Sequence, residues 1–276
     1  MIGADEETDY QARFSGIARL YGESGLASLR QAHVCVLGVG GVGSWAVEAL
    51  ARSGIGALTL IDLDEVCLSN TNRQLPALTE EVGKPKVDVL AARVYGINPE
   101  CRVQAVNAFF TASNAEELLA TRFDFLLDAI DNVTNKCLLI AQARARSIPV
   151  LTTGGAGGRR DCTRVAITDL AFSTHDPLLQ MVRKKLRRQH GFPKNRKEPF
   201  EVDCVFSPEL PLYPQQDGTV CATRDPQADF RLNCESGYGT AAFVTGAFGF
   251  AAAGQIVDYL AASLAGSGAR VGLLPG

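Results

Sequence analysis

No two of the eight cysteines, at positions 35, 67, 101, 137, 162, 204, 221 and 234, stand close enough to form a C-x-x-C pair. That spacing argues against structural zinc held by paired thiolates. In a reducing compartment most such thiols are small buried hydrophobes. The opening stretch, MIGADEETDYQ, has neither a basic region nor an apolar run, so no signal or transit peptide is expected and the cytoplasm is the expected location. Internal repeats and low-complexity segments are also missing.

Two further absences concern charge. From Arg183 to Lys197 the run RKKLRRQHGFPKNRK takes eight of the 27 basic residues and none of the 30 acidic ones, leaving 19 against 30 elsewhere, or −11. Such separation of sign suits either a polyanionic partner or a solvated helix face followed by a loop. From Gly237 to Val257 there is no charge at all, a length that invites a membrane-spanning reading. Five glycines, two threonines and Gln255 in that stretch suit close helix packing in a core or a dimer interface instead, and no stable membrane partner is expected.

What the sequence does contain is a regular alternation. Strand-like runs at 33–38, 57–62, 101–106, 123–129 and 149–153 are separated by helical patterns near 42–53, 84–96, 113–121 and 132–146. Several runs are continuously apolar, as in strands buried on both faces. The expected fold is therefore α/β and Rossmann-like, a mostly parallel sheet with helices on both faces. The whole chain, 1–276, is read as one domain with a nucleotide-binding core over about 13–160. Segment 161–235 should hold a strand at TRVAITDL, the basic segment and a long loop over 191–232, and a closing helix should span 236–262. The basic and proline-rich insertion before that helix is read as a substrate loop.

VLGVGGVGSWAVEAL puts Gly38, Gly40 and Gly43 in a G-x-G-x-x-G that follows a strand and opens a helix. The first glycine permits the turn, the second lets backbone approach a phosphate, and the third seats the helix on the sheet. Asp62 ends the next strand, where a carboxylate accepts from ribose hydroxyls. This much fits NAD and ATP alike. Beyond it, SNTNRQ at 69–74 supplies Asn70 and Arg73, three apart, and GKPK supplies Lys86 at the start of a helix. Cations with amide donors suit a triphosphate, and nothing past Asp62 is arranged for a nicotinamide. LLDAIDN brings Asp128 and Asp131 to a strand's carboxyl end, where an acid can hold magnesium.

The set G-x-G-x-x-G, D-x-D, S-N-x-N-R-Q, G-x-P-K and D-x-x-D-N resembles the ubiquitin-activating-enzyme superfamily and its bacterial adenylating relatives of thiamine and molybdopterin biosynthesis. The resemblance covers roughly 13–160 and recurs near 234–258. RFSGIARLYGESGLASL, GGAGGRRD, the basic insertion and NCESGYGTAAFVTGAFGFAAAGQIVDYL are similar to the branch that dehydrates threonylcarbamoyladenosine in tRNA. The resemblance implies that Gly38, Gly40, Gly41 and Gly43 cradle ATP, that Asp62 takes the ribose, and that Asn70, Arg73 and Lys86 hold phosphates. Asp64 and Asn132 belong to the same nucleotide-facing set, and Asp131 would bind Mg. Relatives supply an arginine across a homodimer from an R-aromatic-x-R motif. Here the fourth position is Gly16, so Arg13 and Arg19 are the candidates.

The implied reaction is adenylation of the threonine carboxylate, then ring closure by the substrate's own carbamoyl group, releasing AMP and pyrophosphate. Cys234 stands at a turn opening the final helix, where a thiol pKa falls, and is the candidate for a transient thioester, with Cys162 and Cys204 as alternatives. Arg183, Lys184, Lys185, Arg187 and Arg188 are candidates for anticodon-arm phosphates. His175 and His190 are assigned to loops. Two other readings keep the nucleotide site. One is an adenylyltransferase for the C-terminus of a sulfur-carrier or ubiquitin-like protein. The other is a nucleotide-gated scaffold passing sulfur between a cysteine desulfurase and a sulfur-acceptor partner.

Overall fold

The continuously apolar runs form the centre of a seven-stranded sheet in the computed structural model, which describes residues 9–215, 217–223 and 238–263. The strands are β1 (His33–Leu37), β2 (Ala57–Ile61), β3 (Arg102–Val106), β4 (Phe125–Asp128), β5 (Val150–Thr153), β6 (Ala166–Asp169) and β7 (Asp203–Phe206). Their spatial order is β3-β2-β1-β4-β5-β7-β6. All neighbours run parallel except β6, which is antiparallel to β7.

Alternation along β1 shows why both faces must be covered. Val34 and Val36 enter one core, while Cys35 and Leu37 enter another. The first core takes α2 (Gly43–Arg52), α3 (Lys86–Ile97) and α7 (Ala242–Ser263); the opposite face takes α4 (Ala115–Leu118), α5 (Val133–Ala145) and α6 (Pro177–Gln189). The order reverses between β1 and β4, so a crevice opens above their carboxyl ends, where open α/β sheets bind ligands.

The expected alternation is borne out, with three differences. A helix, α1 (Asp9–Gln31), precedes β1; it breaks at Gly22 (φ 78°, ψ 164°) and buries Tyr10, Phe14, Leu26 and Leu29. The segment read as a loop over 191–232 contains β7, inserted between β5 and β6 with Cys204, Val205 and Phe206 buried. Four residues, DCVF, are too few to display a period, and Pro and charge surround them. Further on, Tyr213–Pro214 (β8) and Val220–Cys221 (β9) pair as a small hairpin. The helix α7, whose one charged residue is Asp258, is long and apolar enough to cross a membrane. Its Val244, Phe248, Ala252, Ala253, Ile256, Val257 and Leu260 nevertheless lie in the main core, which accounts for the composition without a bilayer.

Candidate active site

The glycine loop leaving β1 divides its glycines into two kinds. Gly38 has φ 85°, and a Cβ there would meet Ala129 O at 2.7 Å; at Gly43 it would lie 1.9 Å from Gly38 O. Both are required by the fold itself. At Gly40 the nearest atom to an added Cβ is Gln74 Nε2 at 3.8 Å, and at Gly41 it is Thr245 Cγ2 at 3.2 Å. The protein leaves room at Gly40 that a phosphate can use. Behind the loop, no side chain caps the N-terminus of α2, the arrangement that presents amides and partial positive charge to an anion.

Asp62 is placed by two backbone donors: Val39 N–H reaches Oδ2 at 2.8 Å and Asp64 N–H reaches Oδ1 at 2.9 Å. Burial raises its carboxyl above the ordinary range, and the two amides and the Lys86 ammonium oppose that rise. The carboxylate thus joins the end of β2 to the glycine loop and borders the crevice. Lys86, the first residue of α3, is 5% exposed at its side chain and pairs with Asp64 at 2.8 Å, whose own side chain is 55% exposed. Lys86 N–H also donates to Asp64 O. The D-x-D and G-x-P-K motifs therefore meet directly.

SNTNRQ forms a 3-10 turn (Leu68–Asn70) and its continuation. Asn70 is buried, and its Oδ1 accepts from Cys67 N at 3.0 Å, so its oxygen is spent on capping the turn. Arg73 Nη1 donates to Ser69 O at 2.7 Å and Asn72 Oδ1 at 3.0 Å. Its carbonyl is held from both ends of the chain, by Trp45 Nε1 of α2 at 3.1 Å and Thr245 Oγ1 of α7 at 3.0 Å. Asn72 Nδ2 in turn donates to Thr240 O at 2.9 Å. Gln74 Oε1 is buried with no hydrogen-bond partner, an unspent polar atom on the side chain nearest Gly40. Trp45, Asn72, Gln74 and Thr245 carried no signal that marked them as site residues in advance, except that Asn72 and Gln74 stand inside a motif already singled out.

At the end of β4 the two acids separate. Asp128 and Lys136 form an ion pair at 3.1 Å in which both side chains are 0% exposed. Thr152 Oγ1 donates to Asp128 Oδ2 at 2.7 Å, Ile130 N–H donates to Oδ1 at 3.1 Å, and Lys136 Nζ reaches Ile130 O at 2.9 Å. Burial pushes the Asp128 carboxyl up while Lys136 holds it down. Asp128 is thus a strut under the following turn, and Asp131, exposed on that turn, is the acid open to a ligand. Asn132 caps α5 by accepting from Thr134 N and Asn135 N.

The remaining candidates lie apart. Arg13 donates to Ile97 O at the far end of α3, about 16 Å along that helix from Lys86, and Arg19 is exposed on α1. Arg13 thus stands at the end of α3 away from Lys86. On α6, Leu179, Val182 and Leu186 are buried, and the basic residues divide. Arg183 donates to Ser173 Oγ, Lys185 to Thr134 Oγ1, and Arg187 donates to Pro193 O while stacking on Phe200 at 4.7 Å. Lys184 and Arg188 are exposed. The five are therefore not one uniform phosphate stripe. Cys204 is fully buried, and burial pushes its thiol up to about 12, while Cys162 is half-buried. Cys234 lies outside the described residues.

A doubly wound sheet with a glycine loop, an acid at the end of β2 and cations above the switch point defines an α/β nucleotide-binding enzyme. The ThiF family model matches residues 13–268, and the chain belongs to the ThiF family. It is 49% identical to the tRNA threonylcarbamoyladenosine dehydratase of Escherichia coli over 94% of this chain and 97% of that one. It is 47% identical to the enzyme of the same name from Haemophilus influenzae, over 91% and 94%. A crystal structure of the E. coli dehydratase in complex with ATP superposes with a TM-score of 0.83 at 44% identity, covering 94% of this chain and 98% of that one.

Proposed function

We propose that this protein is an ATP-dependent tRNA threonylcarbamoyladenosine dehydratase, which closes the threonylcarbamoyl side chain of the modified adenosine into a ring with loss of one water. The observation that carries the reading is the nearly end-to-end match to the E. coli dehydratase. The gathering of the nucleotide-facing residues above the switch point agrees with it. The whole chain acts as one ATP-binding adenylating domain.

ATP supplies the activation, turning the threonine carboxylate into an acyl adenylate with pyrophosphate as leaving group. The room left at Gly40, the bare α2 N-terminus and the unpartnered Gln74 Oε1 fit such a nucleotide. Gly38 and Gly43 shape the loop, Gly40 and Gly41 face the phosphates, and Asp62, already oriented by two amides, takes the ribose. Arg73 and Lys86 neutralise charge on the departing pyrophosphate, and for this Lys86 shares or exchanges its pairing with Asp64. Asn70 contributes its amide nitrogen. No group of three or more His, Cys, Asp or Glu able to hold a metal occurs among the described residues. Mg²⁺ is accordingly assigned to Asp131 together with phosphate oxygens, the usual mode for that ion. Asn132 fixes the turn beside it. In the direct route the carbamoyl nitrogen attacks the activated carboxyl carbon, forms the ring, expels AMP and loses one proton; in the alternative the Cys234 thiolate first displaces AMP, and the carbamoyl nitrogen then displaces that thiolate from the thioester.

Arg13 or Arg19 reaches the site of a second copy, and a homodimer is the working form. The cytoplasm, where tRNA and ATP are both present, is the place of action. The test incubates the protein with Mg²⁺, ATP and tRNA carrying threonylcarbamoyladenosine, and follows the nucleoside by mass spectrometry. Loss of one water that requires ATP and disappears with Arg73→Ala supports the reading. No loss, with ATP–pyrophosphate exchange appearing only when a sulfur-carrier protein is added, would replace it.

A further inference from the structure

The glycine-rich connection after β5 is built around side chains that the adenylation site does not use. Arg159 is buried there and pairs with Asp176 at 3.4 Å. Asp176 also accepts from Gly155 N at 3.0 Å, and its other oxygen caps α6 through Leu179 N at 2.9 Å. Against this loop lie two tyrosines, Tyr213 of β8 and Tyr238, with ring centroids 5.2 Å apart and planes tilted by 47°. The loop is glycine where Tyr238 rests on it. A Cβ at Gly157 would meet Tyr238 Cβ at 2.8 Å, and one at Gly158 would meet Tyr238 Cδ1 at 2.9 Å. Gly158 N–H donates to Gly239 O, and Leu212 N–H donates to Gly158 O, each at 2.8 Å. Three chain segments thus meet to hold one half-buried aromatic pair.

Its position is informative. Thr240, two residues beyond Tyr238, is the partner of Asn72, and Asn72 holds the Arg73 guanidinium. Two residues span at most about 7 Å, so the pair borders the nucleotide site. The N-terminus of α6 is tied to this loop through Asp176, and the exposed Lys184 and Arg188 of that helix lie about 12 and 18 Å along it from Asp176. An aromatic surface beside a reaction centre, with cations leading away from it, is the arrangement that binds an unstacked base and the phosphates that follow.

We propose that Tyr213 and Tyr238 form the platform on which an unstacked base of the tRNA anticodon loop stacks, placing the modified nucleoside beside Arg73. This rests on the dehydratase reading for the identity of the RNA, while the stacking itself is read from the geometry. Recognition is through ring faces, so it tolerates Phe and Trp and not an aliphatic residue.

The test measures binding of a fluorescein-labelled anticodon stem-loop RNA carrying threonylcarbamoyladenosine, in parallel with ATP affinity and thermal melting. Tyr213→Leu and Tyr238→Leu are expected to weaken RNA binding roughly 5- to 100-fold, the range for losing one base–aromatic stack. ATP affinity stays at the wild-type value, and so does the salt slope, because no phosphate contact is lost. Tyr213→Phe and Tyr238→Phe bind as the wild type does. Wild-type RNA affinity in the Leu variants, Phe variants as weak as Leu, or a reduced salt slope would each overturn the proposal. Should a Leu variant fail to fold, Tyr213→Trp decides: binding at least as tight as wild type upholds the platform, and weaker binding removes it. The same wild-type preparation is assayed for ATP-dependent loss of water. RNA binding through the tyrosines without dehydration would remove the dehydratase reading and leave the platform; dehydration with indifferent tyrosines would do the reverse.

Discussion

Replacing Lys136 by Met removes the cationic half of an ion pair that has no access to water. Removing one member of a buried pair costs about 3–5 kcal/mol, because the remaining charge is left without compensation. Here the remaining group is Asp128, which keeps the Thr152 hydroxyl and the Ile130 amide as donors, so the lower half of that range, about 3 kcal/mol, is expected. Burial already raises the Asp128 carboxyl and Lys136 opposes it; in Lys136→Met the opposition is gone and the rise is larger. A native pKa above the unfolded one means that the native state holds more protons, so stability falls as pH increases through that window. The deficit of the variant should therefore be smaller near about pH 5 than near about pH 8, both above the ordinary Asp value. Urea denaturation at both values measures it. Asp128→Asn/Lys136→Met, which has no buried charge, should recover most of the loss. A single variant within about 0.5 kcal/mol of wild type, or a deficit that grows toward acid, would refute the assignment of this pair as a buried strut.

Other outcomes follow from the same geometry. Gly43→Ala drives a Cβ into Gly38 O and should cost ~4 kcal/mol or more, whereas Gly40→Ala should melt as the wild type does and lose ATP affinity by calorimetry. Asn72→Ala releases both the Arg73 guanidinium and the start of α7; stability should fall by about 1 kcal/mol and turnover by about tenfold, read as a kcat effect in the dehydration assay. Lys184→Glu/Arg188→Glu should lower the salt slope of RNA binding by about 2, close to one per phosphate, with little change in melting. Arg187→Ala should lower the melting temperature, since Arg187 packs on Phe200 and bonds Pro193 O.

The central strands and the glycine loop were legible because their signals are local. β1, β2 and β4 are apolar at nearly every position, and a G-x-G-x-x-G between a strand and a helix is defined within about a dozen residues. Asp62, Arg73, Lys86 and Asp131 could be singled out as candidates, since each stands in a short motif. What stayed hidden depends on partners far along the chain. Asp128 and Asp131 look alike in LLDAIDN, and only Lys136 and Thr152 distinguish the strut from the exposed acid. The second role of Asn70, capping the turn with its oxygen at Cys67 N–H, has no mark in SNTNRQ. β7 is a strand because β5 and β6 leave a gap for it, not because DCVF announces one. The basic run looked uniform, yet Phe200, Ser173 and Thr134 draw three of its five α6 cations into protein contacts.

The grip of Trp45 and Thr245 on one carbonyl of Arg73 has a bearing on biosynthesis. On the ribosome the parallel strands β1 to β5 emerge well before Thr245 does. A nascent chain at that stage can form much of its sheet, but Arg73 lacks the hydroxyl that fixes it and α7 has not covered the core. The fixing of Arg73 is therefore completed late, when α7 docks. A product truncated before α7 would lack the Thr245 hydroxyl at Arg73 and the cover over the main core.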